Sequence, residues 1–391
     1  MSQPKNFGFG PDEEMVRDSA RRFLKENAGV ENLRALVAKD HRDAYEAETP
    51  PCAHDEELWR EIVALGWTAL AVPEDAGGIG MSTTAVAALA EEVGRAALPS
   101  PLISTLLATF VLRNAATDGA RACLERIAGG EPATLAITGD DGSWAPESTT
   151  VETRAEGAGS ILNGTTRFVQ DARKAAFFVV AARGQGGIGL YAVAADAPGV
   201  TIDPDRIVDL TRDQASVVFD EVEIGADALV AGVRDGAAAV HSAMPSMLVV
   251  VAADMCGAAE WQLQTTAEYA RVRTQFERPI GFFQAVKHPI VDMMIAADRA
   301  RSLVYNAACA VDHEPEEAER FARMAKAAAS DAAAFCSGRS VQLHGGIGFT
   351  WECDLHIWFK RQKHNQFFLG DAIYQRAKLA PLIDVAAAAA T

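Results

Sequence analysis

The pattern of apolar residues changes twice along these 391 residues, and the two changes constrain the fold more than any other feature. In the first and last parts of the chain, apolar residues recur at helical spacing. The middle part instead contains short β-branched runs separated by Gly, Asp or Pro, which is typical of strands and turns. We therefore predict an α+β multidomain fold, with an N-terminal helical domain (1–132), a middle β-barrel or β-sandwich domain (133–231) and a C-terminal four-helix bundle (232–391).

The helical patterns at both ends are long enough to define individual helices. The stretch from Asp12 to Asn27 is amphipathic and begins with three acidic residues, which the helix dipole favours. A glycine-rich segment that ends near Met81 is predicted to turn into another helix, with Ser82 or Thr83 as its cap. Further helices are predicted over 31–38, 55–65, 83–97, 102–115, 237–274, 283–312 and 316–343, followed by two shorter ones that break near Gly370.

Six runs in the middle part are predicted to be strands, at the spacing expected of a compact β domain. Within this part, the dipeptide Asn163-Gly164 is a strong signal for a two-residue hairpin turn. The six runs are Ala133–Thr138, Ser148–Thr153, Ala175–Ala182, Leu190–Ala194, Gly199–Ile202 and Ser216–Glu223.

Composition excludes several classes of function. The formal net charge of −17 argues against a nucleic acid partner. Six scattered cysteines without a C-x-x-C pair argue against a disulfide framework and a zinc site, and suit a reducing cytoplasm. We expect no signal peptide and no membrane span, because no apolar run in the sequence is long enough. The loosely spaced His344, His356 and His364 are predicted to be polar surface or interface residues, not metal ligands.

The stretch from Tyr269 to Gln284 contains the most informative local cluster. Arg271, Arg273 and Arg278 lie within eight residues of an acidic chain, at a predicted helix end followed by a Pro-Ile-Gly turn. Guanidinium groups bind phosphate through paired hydrogen bonds. The cluster therefore indicates a phosphate site, although a solvated helix end remains the alternative on this evidence alone.

Two motifs together resemble the acyl-CoA dehydrogenase family. The first is R-x-x-F-x-x-P-I followed by a glutamine, here from Arg273 to Gln284, and the second is Q-x-x-G-G-x-G-[FY], here from Gln342 to Phe349. Both occur in the family's order and at its separation. The resemblance extends over essentially the whole chain and implies helical, β and helical domains in that order. It also implies a flavin-dependent oxidoreductase that acts on an acyl-CoA thioester in fatty-acid or steroid side-chain degradation.

In the family, the adenosine and pyrophosphate half of FAD is bound by the neighbouring subunit. The resemblance assigns this role to residues whose chemistry agrees with it, because arginine supplies charge and paired glycines let the backbone approach a pyrophosphate. These residues are Arg273, Gln275, Phe276, Gln284, Gln342, Gly345 and Gly346.

The half of the site that would hold the flavin ring differs from the family pattern. The family's T-E-P-x-x-G-S-D loop is altered here, where only Thr138 and Ser143 remain as candidate contacts. Phe168 keeps an aromatic residue for the isoalloxazine face, whereas Gln170 replaces a hydroxyl residue. Two aspartates at 140 and 141 are expected to repel an anionic CoA ester.

Neither family position for the catalytic base carries a carboxylate. Counting from Gly345 leads to Leu369, and counting back from Arg273 leads to Met247. Asp371 and Asp254 are the nearest substitutes, but helical geometry places both poorly for a step that needs hydrogen-bond reach. We therefore predict no catalytic residue in this chain.

Three hypotheses follow from this difference between the two half-sites. The first is a subunit of a heteromeric acyl-CoA dehydrogenase that completes the FAD site of a homologous partner, as in steroid-CoA dehydrogenases of this family. The second is a homomeric dehydrogenase whose base has moved to Asp371 or Asp254. The third is a flavin monooxygenase or oxidase, or a catalytically silent interaction subunit, on the same scaffold. An electron-transfer flavoprotein is one candidate electron acceptor.

Overall fold

The computed structural model describes residues 3–37, 45–157 and 159–389, with side chains described as far as Ile383. The chain divides into two compact units. The first unit combines Met1–His41, Thr83–Leu98 and Leu248–Thr391, and the second combines Arg42–Ser82 and Pro99–Met247. The predicted fold class is confirmed, because helical parts flank a central mixed sheet. The domain boundaries near 132 and 231 stay a prediction.

The helices agree with the predicted patterns to within a few residues, and within the described ranges one further helix, α6, was not predicted. Their bounds are α1 (Pro11–Asn27), α2 (Val30–Val37), α3 (Glu56–Ala64), α4 (Thr83–Arg95), α5 (Leu102–Leu112), α6 (Asp118–Ala128), α7 (Gly236–Val272), α8 (Gln284–His313), α9 (Pro315–His344), α10 (Leu355–Phe367) and α11 (Ala372–Ala389). The predicted residue Ala38 lies outside the described residues.

Some helix ends follow from local sequence and others from distant residues. The Asp55 carboxylate accepts the backbone N–H groups of Glu57 and Leu58, which is an ordinary cap for α3. The start of α4 uses Asp312 of α8, which accepts the N–H groups of Thr83 and Thr84 at 2.9 and 3.2 Å. No local pattern predicts this second cap, because its acceptor is more than two hundred positions away along the chain.

Helices α4 and α7 pack with their backbones in direct contact in the first unit. A Cβ atom on Gly94 would lie 1.9 Å from the Asp254 carbonyl oxygen, and one on Gly257 would lie 1.7 Å from the Glu91 carbonyl oxygen. Any side chain at either position would therefore force the two helices apart. Helix α9 packs against α8 and α11 and completes the helical layer of this unit.

Helix α7 corrects one expectation from the sequence. Among the described residues it is the one helix long and apolar enough to cross a membrane, whereas we expected no such stretch. Its most apolar window is 67% buried inside the protein. The apolar composition is therefore explained by packing in the core.

The second unit contains the sheet, whose strands within the described residues are β1 (Ala133–Ala136), β2 (Glu152–Glu156), β3 (Gly159–Gln170), β4 (Phe177–Gly184), β5 (Gly187–Ala194), β6 (Val200–Pro204), β7 (Gln214–Ile224) and β8 (Leu229–Ala231). The order is β6-β7-β3-β2-β4-β5-β8, and β1 pairs parallel with β4. The β3–β7 and β4–β5 pairs are antiparallel. The core of this sheet includes Leu162, Phe178, Val217 and Phe219.

The hairpin predicted at Asn163-Gly164 is wrong. Both residues lie inside β3, at a register shift in its pairing with β7. Gly164 has a φ of +134°, and a Cβ atom there would lie 2.5 Å from the Thr150 carbonyl oxygen. Gly164 is therefore required by an irregularity within a long strand. Such irregularities favour glycine for the same reason that tight turns do.

Candidate functional site

The arginine-rich stretch folds into a short hairpin after α7. Strands β9 (Thr274–Gln275) and β10 (Arg278–Pro279) pair antiparallel, and Phe276 and Glu277 between them have φ values of 53° and 63°. Two successive left-handed residues make a tight turn that raises Phe276 away from the protein. The Phe276 side chain is 87% exposed.

The surface of this hairpin is basic, aromatic and open to solvent. Arg273, Gln275 and Gln284 are all exposed. The Arg278 guanidinium lies 4.3 Å from the centroid of the Phe282 ring. The Ile280 N–H donates to the Arg273 carbonyl at 2.8 Å, which closes the loop behind the exposed side chains. Guanidinium and aromatic groups on one surface suit a ligand that carries a phosphate and a nucleobase.

The paired glycines form an open corner at the end of α9. Gly345 has a φ of +66°, and a short 3-10 turn runs from Gly345 to Phe349. Within the described part of the chain, no atom lies within 4 Å of a Cβ built on Gly345 or Gly346. Gln342 is exposed one turn earlier. This corner therefore has room for an anion to approach the backbone.

A half-buried ring contact joins the two motif segments. The Tyr269 ring stacks on His344 with centroids 4.3 Å apart, and the Tyr269 hydroxyl donates to the His344 carbonyl at 3.4 Å. His344 Nδ1 lies 2.8 Å from the Ser340 carbonyl, and burial lowers the pKa of this imidazole. The contact places the end of α7 beside the glycine corner.

The prediction of polar surface histidines is wrong for two of the three. His344 and His356 are both buried, and His356 packs edge-on against Trp351. Burial, with Lys360 and Arg34 nearby, lowers the pKa of His356 to about 4. No group of three potential metal ligands occurs among the residues that the structure describes.

The residues expected to hold FAD have the properties that its nucleotide half requires. Arg273 supplies charge, Phe276 an exposed ring, and Gly345 and Gly346 open backbone, and all belong to the first unit. Exposed side chains of this kind remain available to another molecule. The arrangement therefore fits a nucleotide that is bound at the protein surface.

The flavin-half candidates lie in the second unit. Thr138 is buried, and its carbonyl accepts the Arg167 N–H at 3.0 Å and the Thr166 hydroxyl at 2.9 Å. Phe168 has a φ of 56° and is 40% exposed. A Cβ on Gly142 would lie 3.5 Å from the Phe168 ring, so the altered loop runs beside this ring. Phe168 keeps an accessible face that a flat ring system can contact.

The two aspartates of the altered loop both have local roles. Asp140 accepts from Arg167 Nε at 2.9 Å, so the repulsion that we expected from its charge is offset by a guanidinium. Asp141 accepts the Ser143 N–H at 2.9 Å, and Ser143 Oγ in turn accepts the Ala145 N–H at 3.2 Å. These bonds make a turn of the kind that short polar side chains form with their own backbone.

Gln170 carries a buried amide where the family has a hydroxyl. Its Nε2 donates to the Phe168 carbonyl at 3.2 Å and to Gln214 Oε1 at 2.9 Å. Gln214 in turn donates to Asp205 at 2.7 Å. The Gln170 amide is therefore held by the protein itself, and sequence spacing alone does not reveal these distant partners.

The two positions to which the resemblance assigns the catalytic base hold buried apolar side chains. Met247 is buried in α7, and Leu369 is buried with a φ of 57°. The Leu369 carbonyl accepts from Gln375, and the next carbonyl, that of Gly370, accepts from Lys326 at 2.9 Å. An apolar side chain can neither take nor return a proton.

The two substitute carboxylates have structural partners. Asp371 caps α11, because its Oδ1 accepts the Tyr374 N–H at 2.8 Å. Asp254 is fully buried in an ion pair with Arg361, whose Nε lies 3.0 Å away, and it also accepts from Asn365 at 2.6 Å. A base must reach a substrate proton directly or through one water, and these bonds engage both groups elsewhere.

Models of two protein domains match most of this chain. The model of the acyl-CoA dehydrogenase N-terminal domain matches residues 10–131, and that of the C-terminal domain matches residues 234–381. The acyl-CoA dehydrogenase IpdE2 of Mycobacterium tuberculosis is 32% identical over 354 residues, which are 90% of this chain and 91% of the relative.

Two solved structures are similar over almost their whole length. The Tcur3481–Tcur3483 steroid ACAD variant has a TM-score of 0.84 and 30% identity, with 97% of this chain and 99% of that chain covered. The ChsE4–ChsE5 complex from Mycobacterium tuberculosis has a TM-score of 0.83 and 26% identity, with 97% and 98% covered. The chain therefore belongs to the acyl-CoA dehydrogenase family, whose members are FAD-dependent oxidoreductases.

Proposed function

We propose that this chain is a subunit of a heteromeric acyl-CoA dehydrogenase and that it completes the FAD site of a homologous partner. The observation that carries the proposal is a difference between its two half-sites. The nucleotide-binding motif forms an exposed surface, with Phe276 87% exposed. The positions of the catalytic base, Leu369 and Met247, are buried and apolar.

A second observation supports a protein partner on the first unit. Val291, Met294 and Ile295 are exposed along one face of α8, at the helical spacing of three and four positions. Phe282 and Phe349 add exposed rings in the two motif segments. Such apolar surface in a soluble enzyme marks an interaction site. A homologous chain is the partner that the ChsE4–ChsE5 complex suggests by its name.

In this proposal the residues of the chain act by binding and orienting. Arg273 and Arg278 supply positive charge for the phosphates, Phe276 supplies a ring for the adenine, and the glycine corner lets oxygen atoms approach backbone N–H groups. Bound FAD supplies the hydride acceptor of the family's reaction. The partner subunit contributes the base and the thioester cleft, because neither family base position here carries a carboxylate.

The homomeric alternative has less support. It requires Asp371 or Asp254 as the base, and these carboxylates serve as a helix cap and as the partner of a buried arginine. Freeing Asp254 would leave the Arg361 guanidinium buried without its counter-ion, which is strongly unfavourable.

The proposed place of action is the cytoplasm, with an electron-transfer flavoprotein as electron acceptor. The acyl group that we propose is bulky, since one similar structure is a steroid ACAD.

Co-expression tests the proposal. The chain is produced alone and together with a homologue that has glutamate at the family base position, and native mass, flavin content and oxidation of an acyl-CoA are measured. We expect activity and stoichiometric flavin only in the co-expressed complex, and Arg273→Gln in this chain should lower the flavin content of that complex. Arg22→Gln, an exposed arginine on α1, is the matched control.

Three other results would contradict the proposal of a heteromeric subunit. If this chain alone holds one FAD per subunit and oxidises an acyl-CoA, it is a self-sufficient dehydrogenase. Rapid reoxidation of its reduced flavin by oxygen would instead identify an oxidase or monooxygenase. Unchanged flavin content in a complex that carries Arg273→Gln would show that the hairpin does not bind the cofactor.

A further inference from the structure

A cavity of about 410 Å³ lies in the first unit, away from both motif segments. Helices α1, α4, α7 and α10 contribute its walls. Its volume falls in the range of small-molecule sites in proteins. Neither the FAD motifs nor the positions of the family base contribute to its lining. The cavity is therefore a feature that the proposed function does not explain.

One wall of the cavity is flat and aromatic. Trp261 and Trp358 stack with ring centroids 3.5 Å apart and planes within 5° of parallel. Trp358 is buried, and its Nε1 donates to the Arg95 carbonyl at 3.0 Å, so the pair is held in place. Leu24 and Val30 add aliphatic surface. This wall favours an apolar body, and a flat one most of all.

The rim of the cavity carries an excess of positive charge. Arg21, Lys25 and Arg95 line it together with one acid, Glu92. Arg21 Nη2 lies 2.7 Å from Glu92, and Arg95 Nε lies 3.3 Å from the same carboxylate. Within the lining, three cations and one anion leave a surplus of two positive charges, and Glu91 and Asp18 act on Arg21 from outside the lining. A bound anion would balance this surplus.

Arg95 at the rim is held in place by its neighbours, but one of its N–H donors makes no hydrogen bond of good geometry. Arg95 Nη1 donates to Gln264 Oε1 at 3.2 Å, and Gln264 donates onward to Glu260 at 2.6 Å. Glu260 is in turn paired with Arg301 at 3.1 Å. Arg95 Nε is buried and paired in charge with Glu92 at 3.3 Å, but among the described residues no acceptor meets it with hydrogen-bond geometry. Buried donors of this kind cost free energy until an acceptor is supplied.

We propose that this cavity binds an organic monocarboxylate with an apolar, preferably flat, body. The carboxylate accepts from Arg95 and lies near the charges of Arg21 and Lys25, while the body packs against Trp261 and Trp358. The charge-assisted bonds fix the head group, and removal of the body from water supplies most of the affinity. The site is separate from the FAD site and independent of the heteromer proposed above.

The test uses two probes that differ only in the head group, which is an anionic carboxylate in one and a neutral amide in the other. Naphthalene-1-acetate and naphthalene-1-acetamide share one flat body, and their binding to the full-length chain is followed by calorimetry and by tryptophan fluorescence. We expect saturable binding at one site per chain, with the acid bound about tenfold more tightly than the amide. Equal affinity for the two probes, or no saturable binding of the acid, would overturn the proposal.

Three variants localise the binding. Ala96→Trp fills the cavity and should abolish binding, while circular dichroism confirms the fold. Lys25→Gln, at an exposed rim position, should reduce the preference for the acid without unfolding the chain. Arg22→Gln lies on the same helix outside the cavity and should change nothing. Binding that persists in a folded Ala96→Trp variant, or an unchanged preference in Lys25→Gln, would place the ligand elsewhere.

Discussion

The ring of Tyr269 stacks on the imidazole of His344, with the two planes 21° apart, and so joins segments that are 75 residues apart in the sequence. Tyr269 lies in the last turn of α7, before the arginine hairpin, and His344 is the last residue of α9, before the glycine corner. Tyr269 lies before the first motif, and His344 occupies an unspecified position within the second. Their contact brings the two motif segments together in the fold.

We predict that Tyr269→Leu weakens FAD binding by the heteromer about five- to tenfold, because the stack no longer holds the two segments together. Loss of the ring pair should also lower the free energy of unfolding by about 1–2 kcal/mol. Tyr269→Phe keeps the ring and removes only a long hydrogen bond, so it should behave almost like the native chain. Flavin titration and urea unfolding of all three proteins measure both effects. Equal flavin affinity in the Leu variant would contradict the positioning role.

We predict that Gly346→Ala reduces FAD affinity about tenfold or more while the stability of the chain stays within about 0.5 kcal/mol of native. Within the described residues no atom lies within 4 Å of the added methyl group, so only an incoming ligand can meet it. Gly338→Ala, on α9 and equally open, is the matched control. Flavin content and thermal unfolding are measured together. Native flavin affinity in Gly346→Ala would mean that no ligand approaches this backbone.

We predict that Asp254→Asn destabilises the chain by about 3–5 kcal/mol, because Arg361 remains buried without its counter-charge. Activity per folded heteromer should be unchanged, since the carboxylate has a structural role. Glu268→Gln removes an acid from an exposed pair with Arg271 and should change stability by less than about 1 kcal/mol. Urea unfolding and turnover per bound flavin distinguish the two roles. A stable Asn variant without turnover would restore Asp254 as a candidate base.

We predict that Lys326 makes stability depend on pH in the neutral to alkaline range. Burial lowers the pKa of this ammonium from 10.5 to about 7, with Asp371 opposing the shift. Between these two values the unfolded chain binds a proton that the folded chain has released, so the free energy of unfolding rises with pH, by at most about 1.4 kcal/mol per pH unit.

In the variant Lys326→Met, the free energy of unfolding should no longer rise with pH. Urea unfolding between pH 7 and 9.5 measures this dependence. Lys326 Nζ lies 2.9 Å from the Gly370 carbonyl and 3.1 Å from Ser330 Oγ, and the variant loses both hydrogen bonds. The two proteins are therefore compared by the slope of the free energy of unfolding against pH, and not by its absolute value. Lys5→Met, at an exposed lysine, is the control and should keep the native slope. A native slope in Lys326→Met would assign the pH dependence to another group.

Much of the fold was predictable because its signals are local. Helical and strand periodicity predicted the succession of helices, sheet and helices, and most helix bounds agree with the structure to within a few residues. The two motifs also predicted the family, because each is short and contiguous. Asn163-Gly164 shows where local signals fail: the dipeptide that favours a hairpin turn lies within β3, where pairing with β7 decides its conformation.

The sequence by itself determined the order of the elements and the family, and the resemblance predicted that the two positions of the base, Leu369 and Met247, carry no carboxylate. Only the tertiary structure decided that His344 is buried under Tyr269, that Asp254 is neutralised by Arg361 and that Asp312 caps α4. The physical reason is the distance along the chain. Periodicity and motifs report neighbours within a few residues, whereas burial, ion pairing and strand register depend on groups that only folding brings together.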